Sequence, residues 1–271
     1  MPISPRPFKV AVAQIDTKLG DVKSNLRLIQ RVSARISLAK KDIDIVCFPE
    51  LATTGYALGR KWKDLADEVP GSVTDDLSKI ASEHGFYLIC GVDERGSAEE
   101  KERIYDSAVL FDPNGKHVGL YRKVHLWGDE RKFFTAGASF PVFTTKFCPI
   151  GIGICYDLEF PESTRVMARK GAKLVFFPSA QPSTAQKQVE IYVRCRSSEN
   201  CIFTAFSNRL GREGKLSFFG QSQIDSPDTK ILALADGNQN FVSAKIELKL
   251  LEKQKKLLPY LTQLEPTAYT I

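Results

Sequence analysis

Three residues with reactive side chains stand directly after apolar runs that are typical of β-strands. They are Glu50, Lys123 and Cys155, and the runs before them span 43–49, 118–122 and 150–154. Because open α/β sheets gather their chemistry at the carboxyl ends of strands, we expect these three side chains to lie close together. An acid, a cation and a thiol in one place predict an active site.

A thiolate attacks a carbonyl or nitrile carbon readily, but it needs help at three points. A carboxylate in an apolar pocket, as we expect for Glu50, has a raised pKa and can take the proton of the thiol. The same carboxylate can later activate the water that releases the acyl group. Lys123 can supply the fixed positive charge that the substrate oxyanion needs. The set is complete for acyl transfer without histidine, and the three histidines lack the local signatures of Cys–His proteases.

Each of the three residues also has an ordinary interpretation. Glu50 fits a solvated acid, Lys123 a surface lysine, and Cys155 a buried thiol that behaves as a small hydrophobe. The chain has six cysteines without a Cys-x-x-Cys pair and only three histidines, so no zinc spacing is present and no metal is expected. Three accidents of this kind at three strand ends are not expected together, which favours the chemical interpretation.

The composition fits an ordinary globular protein without a nucleic acid or membrane partner. Hydrophobic residues make up 43% and charged residues 26% of 271 residues, and the net charge of +6 is spread over the whole length. No recognised nucleic-acid-binding module accompanies that charge. No apolar run reaches the roughly 18 residues of a membrane span, and the N-terminus lacks a signal-peptide pattern. The sequence therefore predicts a cytoplasmic protein.

Strand-like runs alternate with helical patterns early in the chain, and strands dominate its second half. Helical patterns occupy about 22–36, 73–84, 161–169 and 184–199. This order predicts an α/β fold with mixed sheets. No linker, repeat or low-complexity segment divides the chain, so we expect one domain over 1–271. Its last stretch, 247–271, combines a charged helix with a Pro/Tyr-containing tail and is a candidate for packing on a partner subunit.

The segments around the three reactive residues resemble the signature blocks of the nitrilase (carbon–nitrogen hydrolase) superfamily. The blocks are 48–51, 121–126 and 153–162, and their order and separations fit as well. Weaker matches accompany them at 10–14, 20–21, Asn25, 54–56, 199–200, Asn208 and 220–222. The resemblance implies a four-layer αββα sandwich of two mixed sheets with helices on the outer faces. It also implies a homodimer or larger homo-oligomer and an enzyme that needs no cofactor.

The resemblance also implies a role for each reactive residue. Glu50 would be the general base, Lys123 the oxyanion stabiliser, and Cys155 the nucleophile that forms a thioester. Glu130, seven residues past the lysine, matches a second acid that helps to position the lysine and the substrate. An ordinary charge in the polar run 128–132 is the alternative for Glu130.

Three aromatic residues next to the signature positions are candidates for substrate binding. They are Tyr56, Trp127 and Tyr156, although aromatic residues beside motifs also often belong to the core. The backbone N–H of Tyr156 is implied to be a second oxyanion donor. The glycines at 151 and 153 lack the third glycine of a dinucleotide-binding motif, and we expect them to allow close packing behind the nucleophile.

The residues after the nucleophile separate the branches of the superfamily. Cys155-Tyr156-Asp157 resembles the amidases and carbamoylases, whereas nitrile-cleaving members commonly have Cys-Trp-Glu. Members that act on acids usually place arginine four residues after the cysteine, where this chain has Glu159. Its repulsion of a substrate carboxylate is on the order of 4 kcal/mol at about 4 Å and a dielectric constant of about 20.

We therefore expect hydrolysis of a small linear amide, neutral or amine-bearing, to a carboxylic acid and ammonia. The orientation of Glu159 stays open, because its carboxylate can instead turn outward and cap the helix that begins at Pro161. Hydrolysis of a small nitrile or an N-carbamoyl amine are the enzymatic alternatives, with acyl transfer to an amine also open. A catalytically silent scaffold for a protein partner is the alternative of another class.

Overall fold

Two six-stranded mixed sheets pack face to face in this computed structural model, which describes residues 6–39, 42–100, 102–237 and 240–269. The strands are β1 (Phe8–Ala13), β2 (Ile45–Cys47), β3 (Tyr87–Arg95), β4 (Ile104–Phe111), β5 (His117–Arg122), β6 (Val142–Thr144), β7 (Pro149–Ile152), β8 (Leu174–Ser179), β9 (Phe203–Asn208), β10 (Leu210–Glu213), β11 (Leu216–Phe219), β12 (Gln223–Asp225), β13 (Ile231–Leu234) and β14 (Phe241–Ile246).

The first sheet has the order β14-β1-β2-β3-β4-β5. β1, β2 and β3 are parallel to one another, and the remaining neighbours are antiparallel. The second sheet has the order β13-β12-β9-β8-β7-β6, with β7, β8 and β9 parallel at its centre. Strands β10 and β11 form a separate antiparallel hairpin.

The strands have continuous apolar sequences because their side chains alternate between two buried faces. In β1, Val10 and Val12 face the core between the sheets, while Ala11 and Ala13 face the helices outside the first sheet. Strand β8 repeats the pattern, because Phe176 contacts the inner core and its neighbours contact the outer helices. Strands that are buried on both faces lose the polar alternation of a half-exposed strand.

Helices cover the outer face of each sheet. The helices in the described part of the chain are α1 (Val22–Ala39), α2 (Trp62–Leu65), α3 (Ser72–His84), α4 (Pro161–Arg169), α5 (Gln186–Asn200), α6 (Lys249–Leu257) and α7 (Tyr260–Gln263). The apolar stripes of α1 and α3 pack on the first sheet, and those of α4 and α5 pack on the second. The predicted αββα sandwich of two mixed sheets is therefore confirmed.

One expected strand is divided in two. The strand-like run 219–225, which the sequence predicts as one strand, is divided between the end of β11 and β12, because Gly220 and Gln221 adopt φ angles of +66° and +49° between them. This left-handed backbone cannot continue a strand. β11 thus joins the hairpin while β12 joins the second sheet.

The glycines of the seventh strand allow close packing, as expected. A Cβ atom on Gly151 would lie 2.6 Å from the sulfur of Met167, and one on Gly153 would lie 2.9 Å from the Phe177 ring. Among the described residues, no helix is both long and apolar enough to cross a membrane.

Candidate active site

The carboxyl ends of parallel strands from both sheets meet at one end of the sandwich. Glu50 follows β2 and Lys123 follows β5 in the first sheet, while Cys155 follows β7 in the second. The backbone N–H of Lys123 donates to the Asp106 carbonyl at 2.8 Å, which fixes the end of β5 against β4. The two sheets thus each contribute part of one cluster.

Lys123 is fully buried and lies among carboxylates. Its Nζ donates to Oε1 of Glu50 at 2.5 Å and to Oε1 of Glu130 at 2.9 Å. A third carboxylate oxygen, Oδ2 of Asp106, lies 3.3 Å from the same nitrogen. Burial opposes the charge of Lys123, but the three acids outweigh it and hold the lysine pKa well above its usual range.

Glu50 is held from both sheets. Its Oε2 accepts a hydrogen bond from the backbone N–H of Ala180 at 2.7 Å, just after β8. Gly91 allows the chain to pass close behind this acid, since a Cβ there would lie 2.5 Å from the Pro49 carbonyl oxygen. Glu50 is 1% exposed, so its carboxylate is fixed by two donors in a dry environment.

Cys155 begins a short 3₁₀ helix, Cys155–Glu159, and is 5% exposed. Its φ angle of +46° is unusual for a residue with a side chain and marks a sharp turn at the strand end. Burial raises the pKa of the thiol well above its usual range, and the negative charges of Glu50 and Glu130 add to this, while Lys123 opposes it. Cys155 is therefore a thiol at rest, and it would need a base to act as a nucleophile.

Asp157 holds the turn of Cys155 in place. Its Oδ2 accepts hydrogen bonds from the backbone N–H of Ile154 at 2.8 Å and from the Tyr121 hydroxyl at 2.6 Å. Its Oδ1 accepts the backbone N–H of His125 at 3.0 Å and lies 2.8 Å from the Nδ1 of that ring. The His125 ring in turn stacks on Phe160, with centroids 3.7 Å apart. The turn at Cys155 is thus tied to the segment that carries Lys123.

Tyr56 and Trp127 meet at the second acid. The Tyr56 hydroxyl donates to Oε1 of Glu130 at 2.5 Å, and the backbone N–H of Trp127 donates to its Oε2 at 2.8 Å. Glu213, which is paired with the buried Arg209, accepts the backbone N–H of Tyr56 at 2.9 Å. The hairpin β10–β11 therefore positions the loop that follows Glu50.

An open cavity of about 500 Å³ adjoins this acid. Its lining is mainly aromatic and apolar, with Tyr56, Trp62, Trp127, Phe133 and Leu216 among the lining residues. Asp129 and Glu130 are the charged residues that line it within the described part of the chain. Trp127 is 42% exposed, so its ring is available to a bound molecule.

The side chain of Glu159 contacts Gln181 and does not cap the helix α4. No side chain caps α4, so the expected helix cap is not formed. The Oε1 atom of Glu159 instead accepts a hydrogen bond from Nε2 of Gln181 at 3.3 Å. Gln181 directly follows Ala180, whose backbone N–H contacts Glu50. Burial raises the pKa of this half-buried carboxyl. Tyr156, also half-buried, packs its ring edge-on against Phe160.

Three carboxylates of the cluster are close enough to hold a metal ion. Oxygens of Glu50, Asp106 and Glu130 lie within 4.8 Å of one another. The ammonium of Lys123 already contacts each of these acids at 2.5–3.3 Å. The donor set therefore fits a bound lysine, and a metal ion would have to displace it.

Sequence reasoning missed three contributors to the cluster. Asp106 stands inside the apolar run 104–111, and an acid in such a run was an available signal. Asp157 was considered only as a branch marker, although it organises the nucleophile turn. Ala180 contributes a backbone N–H, which no side-chain pattern can reveal.

Comparisons with known proteins agree with this arrangement. The family model described as carbon–nitrogen hydrolase matches residues 9–256. A probable nitrilase of Schizosaccharomyces pombe is 34% identical over 245 residues, which cover 88% of this chain and 88% of that protein. An omega-amidase of Xenopus laevis is 31% identical over 245 residues, covering 86% of this chain and 87% of that protein.

A solved structure gives the same fold with a covalent adduct. It is a mutant amidase from Nesterenkonia sp. AN1 with the acetamide moiety of fluoroacetamide added to its active-site cysteine. It superposes with a TM-score of 0.84 at 26% identity and covers 97% of this chain and 95% of that chain. The fold and the matched family define an enzyme that hydrolyses carbon–nitrogen bonds. This chain belongs to the carbon–nitrogen hydrolase family, within the nitrilase superfamily.

Proposed function

We propose that this hydrolase cleaves a small linear amide, neutral or amine-bearing, to a carboxylic acid and ammonia through a thioester on Cys155. The observation that carries the proposal is the Lys123 ammonium, held at 2.5 Å from Glu50 and 2.9 Å from Glu130 close to the thiol. A base and an oxyanion partner are thus fixed before substrate arrives.

In the first half of the reaction, Glu50 takes the proton of the Cys155 thiol as Sγ attacks the amide carbon. The carbonyl oxygen becomes an oxyanion, which Lys123 and the backbone N–H of Tyr156 stabilise. When the carbon–nitrogen bond breaks, the protonated Glu50 gives its proton to the leaving nitrogen. Ammonia departs and the acyl group stays on sulfur as a thioester.

In the second half, a water molecule enters and Glu50 takes its proton as the water oxygen attacks the thioester carbon. The new tetrahedral oxyanion uses the same two donors. Collapse breaks the carbon–sulfur bond, and the proton on Glu50 returns to the sulfur of Cys155. One carboxylic acid leaves, and the resting thiol is restored. Glu130 acts as a positioning residue, because it holds Lys123 and accepts the Tyr56 hydroxyl.

The charges around the cluster support a substrate without a carboxylate. Glu159 lies half-buried beside Gln181, and the cavity at Tyr56 and Trp127 carries acids but no lysine or arginine among its described lining residues. We therefore infer that Tyr56, Trp127, Tyr156 and Glu159 contact the substrate. The similarity to an omega-amidase at 31% identity suggests an amide, whereas Glu159 argues for a different charge on its tail.

A panel of small substrates tests this function. The protein and its Cys155→Ala variant are incubated with neutral, amine-bearing and acid-tailed amides, two nitriles and an N-carbamoyl amine, and ammonia is measured. Ammonia from neutral or amine-bearing amides, absent with the variant, is the expected result. Carbon dioxide released together with ammonia identifies the carbamoyl reaction, and ammonia from nitriles alone identifies the nitrilase reaction. Silence across the panel supports the scaffold instead.

We also propose that the chain forms a homodimer or larger homo-oligomer through the helices outside the second sheet. Apolar side chains are exposed on α4 and α5, at Val166 and Ile191, and on the two helices of the tail, at Leu257 of α6 and Tyr260 of α7. The tail 247–271 contributes two of these helices. Light scattering measures the mass in solution, and Ile191→Lys should lower it if this face joins two copies. If the unmodified protein has the mass of a monomer in solution, the proposal is contradicted.

A further inference from the structure

Asp106 is a buried acid of the cluster to which the mechanism above gives no role. It lies near the start of β4 and is 0% exposed. Neither of its carboxyl oxygens has a hydrogen bond within the described part of the chain. Its Oδ2 lies 3.3 Å from Nζ of Lys123, as an ion-pair contact without the alignment of a hydrogen bond. An ionised carboxylate with no hydrogen bond in such a place is strongly disfavoured.

The number of acidic groups around Lys123 also favours a neutral Asp106. Oxygens of Glu50, Asp106 and Glu130 lie within 4.8 Å of one another around one ammonium group. Glu50 and Glu130 each have additional N–H or O–H donors, from Ala180 and from Tyr56, that stabilise their ionised forms. Asp106 has none, so it is the member of the cluster that best accepts a proton.

The protonation state of Asp106 affects how the N–H groups of Lys123 are used. A lysine ammonium has three N–H groups. Two of them serve Glu50 and Glu130, and the third must face the oxygen of the substrate if Lys123 is to stabilise an oxyanion. An ionised Asp106 at 3.3 Å would compete for that third N–H, whereas a neutral carboxylic acid is a much weaker acceptor.

We propose that Asp106 is a positioning residue that enters the reaction as a neutral carboxylic acid, and that its neutrality reserves the third N–H of Lys123 for the substrate oxygen. This inference rests on the amide hydrolysis proposed above. Asp106 keeps this proton throughout turnover.

The surroundings of Asp106 agree with this assignment. Burial is the main cause that raises the Asp106 pKa well above its usual range, the charge of Glu50 adds to it, and Lys123 opposes it. The ionisable groups that face Asp106 or share its cluster are Glu50, Tyr56, Asp93 opposite it on β3, Lys123, Glu130 and Cys155. Asp93 is itself bound by the Thr54 hydroxyl at 2.5 Å, and burial raises its pKa to about 7.

The pH dependence of kcat/KM for Asp106→Asn tests the proposal, because asparagine keeps the shape of the neutral acid and cannot ionise. In the unmodified protein, activity falls at alkaline pH as Asp106 loses its proton. In the variant this limb moves to higher pH, so the ratio of variant to unmodified activity rises about tenfold for each pH unit above that point. Asp93→Asn, the same change at the paired buried aspartate, should leave the alkaline limb where it is.

An ionised Asp106 would shift the alkaline limb of the pH profile in the opposite direction. If Asp106 is ionised, its removal takes a negative charge from Lys123, lowers the lysine pKa and moves the alkaline limb down. A downward shift, or a profile that keeps its shape, overturns the proposal. If Asp106→Asn does not fold, infrared spectra of the unmodified protein decide. A protonated carboxyl band that persists at about pH 9 in both the unmodified protein and Glu130→Gln, above the pKa of an ordinary acid, supports the neutral acid, and its absence overturns it.

The infrared measurement also separates the two proposals. It requires no substrate, so the state of Asp106 can be established even if no amide in the panel is hydrolysed. An inactive protein with the carboxyl band would refute the proposed function and leave Asp106 neutral. An active amidase without the band would refute the role of Asp106 alone.

Discussion

The backbone N–H of Ala180 donates a hydrogen bond to Oε2 of Glu50 at 2.7 Å, and this contact joins the two sheets at the candidate base. Glu50 follows β2 of the first sheet, whereas Ala180 follows β8 of the second. The same N–H lies close enough to Cys155 to lower the pKa of its thiol. Glu50 and Cys155 therefore both lie next to the backbone N–H of Ala180, and their separation depends on how the two sheets are packed.

Glu130→Gln should reduce kcat by roughly 10- to 100-fold, because a misplaced Lys123 no longer meets the developing oxyanion. The glutamine keeps an acceptor for Tyr56 but loses the charge that holds the ammonium. Steady-state kinetics with the preferred amide measure the effect. Glu162→Gln is the matched control, since that acid is exposed on the first turn of α4. Equal effects of the two substitutions would contradict the positioning role of Glu130.

Alkylation by iodoacetamide should depend on Glu50. The exposed Cys195 reacts without help, so the measurement uses a Cys195→Ser background. In that background we expect Cys155 to react faster than the other four thiols, because Glu50 can take its proton. Glu50→Gln should slow alkylation of Cys155 markedly and reduce amide turnover on the order of 10²- to 10⁴-fold. Mass spectrometry of the labelled peptides gives the rates, and a Cys155 rate independent of Glu50 argues against the base.

The sequence was informative where chemistry coincided with the ends of apolar runs. Glu50, Lys123 and Cys155 could be chosen together because strand ends in both sheets open at the same end of the sandwich. The alternation of apolar runs and helical patterns predicted an α/β fold with mixed sheets, whereas the four-layer sandwich followed from the resemblance to the nitrilase superfamily.

Other parts of the site could not be predicted from the sequence, for physical reasons. The donor at Ala180 is a backbone group, and its neighbour Gln181 contacts Glu159 only through tertiary packing. Periodicity therefore could not assign the orientation of Glu159. The division of the run 219–225 depended on left-handed backbone at Gln221, a residue type that gives little warning of it.

Glu159→Arg should shift substrate preference toward acid-tailed amides. The substitution replaces a repulsion on the order of 4 kcal/mol with an attraction, so the ratio of kcat/KM for acid over neutral amides should rise about tenfold or more. Ammonia release across the amide panel measures the ratio. Glu162→Arg places the same charge on the exposed first turn of α4 and serves as the control. A preference that matches the parent's across all three amide classes would exclude Glu159 from the pocket.

Asp225→Asn should stabilise the fold at alkaline pH. Burial raises the pKa of Asp225 to about 7, and its Oδ1 has no hydrogen bond among the described residues. The folded state binds this proton more tightly than the unfolded state, so the unmodified protein loses stability as pH rises from about 4 to about 7. The asparagine removes a penalty of up to about 4 kcal/mol, which is fully present above pH 7 and absent below pH 4.

Thermal melting at several pH values measures this difference. Asp228→Asn is a control of opposite sign, because hydrogen bonds from Ser226 and Lys230 lower the pKa of Asp228 and its ionised form is the stabilised one. A gain from Asp225→Asn that is the same at pH 4 and pH 9 would show that the proton is not its cause.

Because β14 covers the edge of β1, the first sheet cannot be completed until β14 has been synthesised. Residues 241–246 hydrogen-bond along residues 8–13, so β1 leaves the ribosome long before the strand that covers its edge. Until then, β1 exposes an unpaired edge that other chains can join. A nascent chain can assemble the neighbourhood of Glu50, Lys123 and Cys155 earlier, but its first sheet stays open at β1. Chains released before residue 241 should therefore be prone to aggregation even though they contain every residue of the candidate site.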